Sequence, residues 1–328
     1  MKIVRKVLAL AICVLLVMGA FAGCSGSSKL KVGVIQYATH PSLDNCCTGL
    51  IQGLEEAGFV DGENMELEVV NAQNSVETAD QLAGNFVASQ YDLIVGIATP
   101  AALSAFSAAR GTGIPTVFCA VSDPVAAQLV KSLEAPGDNC TGSSDLLNLE
   151  AQLKLIRALQ PEAKKIGVLY TSSEANSVSH LKKLEELAPA YGFEIVSSGV
   201  TSAADIPQMA ADLVTKVDCV NNFTDNNVVE NLQVLLQAAD AAGIPVYGSE
   251  IEQVKNGCLA SETLDYVALG KQTGALAARI LNGEEAAQIP VVQVEDSYPV
   301  INTDVVAKRG LTIPEDYASA EKVTTQES

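Results

Sequence analysis

Six short polar stretches, each directly after an apolar run, hold most of the side chains in this 328-residue chain that could do chemistry. They read QYATHPSLD at 36–44, ATPAA at 98–102, AVSDPV at 120–125, SSEANS at 172–177, FTDNNV at 223–228 and GSEIEQ at 248–253. Hydroxyls, carboxamides and carboxylates dominate them, which is equipment for holding a small polar molecule by fixed donors and acceptors. Equipment for turnover is missing. The chain has no HExxH, no GxSxG, no GxxxxGK[ST] and no GxGxxG after a strand. SHLK at 179–182 matches SxxK, but it has no SDN or KTG partner. His40 has the chemistry of a general base, yet no serine or cysteine is paired with it in sequence. The two histidines, His40 and His180, share no short motif with a cysteine pair, so neither a metal nor a cofactor is expected. A competing use exists for the same residue types, because Ser42, Thr99 and Ser177 are also placed to cap helix starts.

The elements that must position these loops come in two copies. KVGVIQYATHPSLD at 31–44 is echoed by KIGVLYTSSEANSV at 165–178, DLIVGIATPAAL at 92–103 by DCVNNFTDNNVV at 218–229, and GIPTVFCAVSD at 113–123 by GIPVYGSEIEQ at 243–253. Strands are predicted near 31–36, 65–70, 92–97, 115–120, 165–170, 193–198, 217–222, 244–247 and 257–261. Helices are predicted near 42–57, 76–90, 100–110, 148–159, 175–190, 205–215, 226–242 and 265–282. Gly58, Gly192 and Gly243 sit where a left-handed helix end favours glycine. Alternation of this kind implies an α/β chain made of two similar doubly wound parallel-sheet lobes. Ligands of open α/β sheets bind outside the carboxyl ends of the strands, so the six loops should converge on a cleft between the lobes.

Lys2, Arg5 and Lys6, the apolar run Val7 to Ala22 and FAGC at 21–24 read as a secretory signal ending in a lipobox. Residues 1–23 would be the signal peptide. Cys24 would be lipidated, and 24–29 would tether the body to the outer face of a bacterial membrane. The chain carries 20 basic and 39 acidic residues; without residues 1–23 the balance is 17 against 39, a net charge of −22. That argues against nucleic acid and in favour of a small neutral or zwitterionic ligand. Cys46, Cys47, Cys119, Cys140, Cys219 and Cys258 show no framework spacing and are expected to be mostly buried small hydrophobes.

THPSLD, NAQNSVETADQLA, DLIVGIATPAA, AVSDPVAAQLVKSLEAPGDNCTG, KKIGVLYTSSEANS, FTDNNVV, GIPVYGSE and DYVALGKQTGALAARIL together resemble the substrate-binding lipoproteins of ABC importers. The branch is the one associated with tryptophan and tyrosine uptake, and the likeness spans nearly the whole chain after the signal. The NCC at 45–47 departs from that pattern. The resemblance implies a type I periplasmic-binding fold, with 30–144 plus 263–288 as lobe one, 145–262 plus 289–314 as lobe two, and 315–328 as a polar tail. It implies ABC permease subunits as partners, a monomer, and binding of an L-amino acid, aromatic by preference, through lobe closure. Thr99 and Ala101 at a helix start would take the carboxylate, and Ser122 and Asp123 would add to the wall. Ser173, Glu174, Asn176, Ser177, Asp225, Asn226, Ser249 and Glu250 would face them from lobe two, with a carboxylate among them, Asp225 first, for the ammonium. Gln36, Tyr37 and His40 would border the side-chain pocket. An extracellular enzyme or a ligand-sensing module on the same fold is the alternative.

Overall fold

β-branched runs alternating with amphipathic stretches fold here as repeated strand–helix units, and the computed structural model describes them over residues 29–294 and 296–326. The expected signal peptide, Cys24 and residues 25–28 of the expected tether lie outside the described residues. The first unit runs β1 (Leu30–Gln36), α1 (Pro41–Glu56), β2 (Met65–Asn71), α2 (Val76–Ala88), β3 (Leu93–Ile97), α3 (Thr99–Ala109), β4 (Thr116–Cys119) and β5 (Cys140–Ser144). The second runs α4 (Leu149–Leu159), β6 (Lys165–Thr171), α5 (Ala175–Leu187), β7 (Glu194–Val200), α6 (Ile206–Leu213), β8 (Cys219–Asn221), α7 (Asn226–Glu230), α8 (Leu232–Ala242), β9 (Val246–Tyr247), α9 (Ile251–Lys255) and β10 (Ala260–Thr263). Then follow α10 (Tyr266–Leu281), β11 (Val292–Gln293), β12 (Tyr298–Asn302), α11 (Thr303–Arg309) and β13 (Glu321–Val323).

Of three sheets among the described residues, the two parallel ones share one strand order, and β10, β12 and β13 form the third. Lobe one is parallel throughout and reads β2-β1-β3-β4-β5-β11; lobe two reads β7-β6-β8-β9, also parallel. β10 joins β9 through Gly248 N–H to the Ala260 carbonyl and Leu259 N–H to the Val246 carbonyl, then pairs antiparallel with β12. LIVGI of β3 is buried at every position, as a strand covered by helices on both faces must be. Helices α1 and α10 cover lobe one in close contact, because Gly49, Gly53, Gly270 and Gly274 leave room for backbone against backbone. A Cβ at Gly270 would lie 2.2 Å from the Cys46 carbonyl oxygen. Gly58, Gly192 and Gly243 all carry positive φ, as their places at helix ends require.

Several expectations give way. CTGSS at 140–144, for which no element is predicted, is a fully buried strand, β5. The helix expected over 226–242 breaks at Asn231 into α7 and α8. Ser42, Thr99 and Ser177 do not occupy capping positions: Pro41 starts α1, so His40 is the N-cap, while Ala98 and Glu174 precede α3 and α5. The 289–294 stretch belongs with lobe one, because β11 pairs with β5 and Ile289 packs in the lobe-one core. The polar tail carries a strand of its own, β13, paired with β12. All six described cysteines are buried and free.

Candidate functional site

Five of the six loops at the carboxyl ends of the strands do meet, and they line a narrow, partly open cavity between the lobes. Lobe one contributes His40, Ser42 and Leu43 from the β1–α1 turn, Ala98 and Thr99 from the β3–α3 turn, and Ala120 and Ser122 after β4. Asp145 after β5 and Tyr266 at the start of α10 stand where the chain passes between lobes. Lobe two contributes Asn176 from α5, and Thr224 and Asn226 from the loop that opens α7.

Backbone strain marks the same place. Ala98 and Ala120, both in the cavity wall, hold φ of 75° and 56°. Residues with a Cβ rarely adopt these angles unless the surroundings enforce them, and such strain clusters at functional sites. The positive φ at Ala98 turns the chain so that α3 begins in the cavity wall, with its free backbone N–H groups at that end.

Unpaired polar atoms mark it again. Of fourteen buried side-chain nitrogen and oxygen atoms without a hydrogen-bond partner among the described residues, five belong to cavity-wall residues: His40 Nδ1, Ser42 Oγ, Thr99 Oγ1, Asn176 Oδ1 and Thr224 Oγ1. Each such atom costs on the order of 1–3 kcal/mol, so their concentration in one wall calls for a polar occupant.

Asp145 dominates the electrostatics. It is 3% exposed, accepts hydrogen bonds from Ser122 Oγ at 3.0 Å and Tyr266 OH at 3.1 Å, and burial pushes its carboxyl upward in pKa. Among the described residues no lysine or arginine lines the cavity, and burial lowers the His40 imidazole to about 4, so none of them offsets this carboxylate with a cation there. Two other buried acids stand behind the wall. Burial, then the charge of Asp225, lifts Glu174 to about 8, while its oxygens accept from the N–H groups of Asn226 and Asn227 at 3.1 and 3.3 Å. Burial lifts Glu250 to about 7; it caps α9 by accepting from the N–H groups of Glu252 and Gln253.

Of the residues singled out in the sequence, His40, Thr99, Ser122, Asn176 and Asn226 line the cavity. Gln36, Tyr37, Ala101, Glu174, Ser177, Ser249 and Glu250 are buried close behind, and several are engaged with protein. Gln36 Nε2 donates to the Ala38 carbonyl and to Asp44, and Ser249 Oγ donates to the Asn222 carbonyl. Burial, then Glu174, raises the Tyr37 phenol to about 12.

Three residues are not where the ligand reading puts them. Asp225 turns away from the cavity: Thr171 N, Thr171 Oγ1, Ser177 Oγ and Val228 N all donate to it at 2.6–2.9 Å, which satisfies its carboxylate from within lobe two. Ser173 is exposed, and it shares an outer groove with Asp123. Conversely, Ser42, Leu43, Ala98, Ala120, Asp145, Thr224 and Tyr266 line the cavity without having been assigned to it. Asp145 had a signal. NCTGSSD at 139–145 parallels GCLASET at 257–263, whose first five residues are predicted as strand.

A family model described as ABC transporter substrate binding protein matches residues 31–324. A tyrosine-binding protein of Clostridioides difficile (strain R20291) is 37% identical over 317 residues, 92% of this chain and 91% of that one. Among solved structures, the ABC domain in complex with L-Trp from Streptococcus pneumonia has a TM-score of 0.87 at 34% identity, covering 90% of this chain and 100% of that one. The ligand-free, open structure of a substrate-binding protein with adhesive properties from Clostridium difficile has a TM-score of 0.70 at 38% identity, covering 90% and 100%. The chain therefore shares more of its shape with the tryptophan complex than with the open relative, although its sequence is nearer to the latter.

Proposed function

The chain belongs to the ABC transporter substrate-binding protein family, and on that premise we propose that it is a lipid-anchored receptor delivering an aromatic L-amino acid to its importer. The observation that carries the ligand class is Asp145, a buried carboxylate in the cavity wall with no cation beside it among the described residues. An α-ammonium supplies that cation and a charge-assisted hydrogen bond. The ligand's carboxylate fits the start of α3, where Thr99 Oγ1 and backbone N–H groups are free to donate. Leu43, Ala98, Ala120 and Tyr266 supply apolar wall for a ring, and His40, Ser42 and Thr224 supply polar atoms for a phenol or indole N–H. The tyrosine and tryptophan named for the two relatives have such side chains.

Turnover is not part of this reading. A general base works best with a pKa near ambient pH, and His40, the imidazole in the wall, titrates near 4. Calorimetry of the chain against the common L-amino acids is the test. Micromolar or tighter binding of tyrosine or tryptophan with the ligand recovered intact is expected, whereas absence of binding or consumption of the ligand would refute it.

Anchoring is proposed from FAGC at 21–24. Cys24→Ala should move the protein from the membrane to the soluble fraction of cells expressing it, and undiminished membrane retention would count against a lipid at Cys24.

A further inference from the structure

We propose that Asn74 and Ser179 are latch residues that set affinity without touching the ligand. Two hydrogen bonds cross from lobe to lobe outside the cavity. Asn74 Nδ2 donates to Glu230 Oε2 at 2.7 Å, and Ser179 Oγ donates to Asp123 Oδ2 at 2.7 Å. None of the four residues lines the cavity.

Their placement couples them to it. Glu230 ends α7, whose first residue, Asn226, is in the cavity wall, and Ser179 lies one turn along α5 from Asn176, also in the wall. Asp123 follows the wall residue Ser122, and its other oxygen accepts from Ala126 N at 2.9 Å, which fixes its aim. Asn74 is held out by two successive left-handed residues, Gln73 and Asn74. Asparagine tolerates that region far better than most residues do, so the loop shape costs less here than elsewhere. A ligand that seats both helix starts against lobe one thereby brings both latches into register.

Bonds made only when the lobes meet stabilise the closed state whatever the ligand is. Apparent affinity scales with the closed population, so the latches multiply affinity for every ligand by the same factor. This rests on the amino-acid-binding reading above. The test is calorimetry of the full chain and of Asn74→Gly, which keeps the left-handed turn, Ser179→Ala and the double variant with L-tyrosine and L-tryptophan. About a threefold loss is expected for each single change and about tenfold for both, since net hydrogen bonds are modest and these are partly exposed. The tyrosine-to-tryptophan affinity ratio should stay unchanged. Wild-type affinity in the double variant, or a changed ratio, overturns the proposal.

If wild type binds no amino acid, the binding reading fails by itself. The latches are then read from spin labels at Glu63→Cys and Glu162→Cys in the ligand-free chain. A smaller closed population in the double variant supports them, and an identical distance distribution overturns them.

Discussion

Asp145→Asn is expected to weaken amino-acid binding by at least about thirtyfold while the ligand-free protein melts no lower than wild type. The loss follows from removing one member of a desolvated charge pair, which costs roughly 2–5 kcal/mol, with 1.4 kcal/mol per decade of affinity. The melting behaviour follows from the direction of the shift. Burial raises the Asp145 carboxyl above its unfolded pKa, so the folded state holds the proton more tightly than the unfolded one does. Its ionisation therefore costs stability once pH exceeds the folded pKa, and that cost vanishes below the unfolded value. Asparagine carries no charge and can keep the Ser122 and Tyr266 hydrogen bonds to its oxygen. Calorimetry and thermal melts at neutral pH on the same preparation check both halves. Intact affinity would move the ammonium to another group, with Glu174 and Glu250 the nearest acids behind the wall.

The opposite profile is expected for Asp225→Asn. Four donors converge on that carboxylate from Thr171, Ser177 and Val228, and an amide turns a donor of its own toward them. Breaking charge-assisted bonds in a fully buried network costs about 3 kcal/mol, enough to lower the melting temperature by roughly 5–10 °C. Affinity should fall only as far as the α7 start loosens, a few-fold at most. Together the two variants separate recognition from architecture, and a melting curve unchanged in Asp225→Asn would show that lobe two does not depend on this network.

How far the sequence carried differs between fold and site. The repeat placed both parallel sheets and five of the six loops at the cavity, with 248–253 behind its wall, because strand-ending loops in doubly wound folds face one gap whatever their residues are. Single side chains were harder, since Ser, Asp and Asn serve caps and ligands with one chemistry. Pro41 shows how the caps went astray: proline takes the first helical position and pushes the N-cap back to His40. Ala98 did so differently, through a positive φ that composition does not announce. Asp145 was hidden because CTGSS lacks the bulky β-branched residues by which strands are recognised, although every one of its residues is buried. Asp225 stood in the right loop, but which way a carboxylate turns depends on donors such as Thr171 N, 54 residues away.

A crystal structure of the chain with L-tyrosine or L-tryptophan tests the account most directly. It should place the ligand in the cavity between the lobes, its ammonium within about 3 Å of Asp145 and its carboxylate against Thr99 at the start of α3. A ligand seated elsewhere, or an ammonium held by any other group with Asp145 left bonded only to Ser122 and Tyr266, would contradict it.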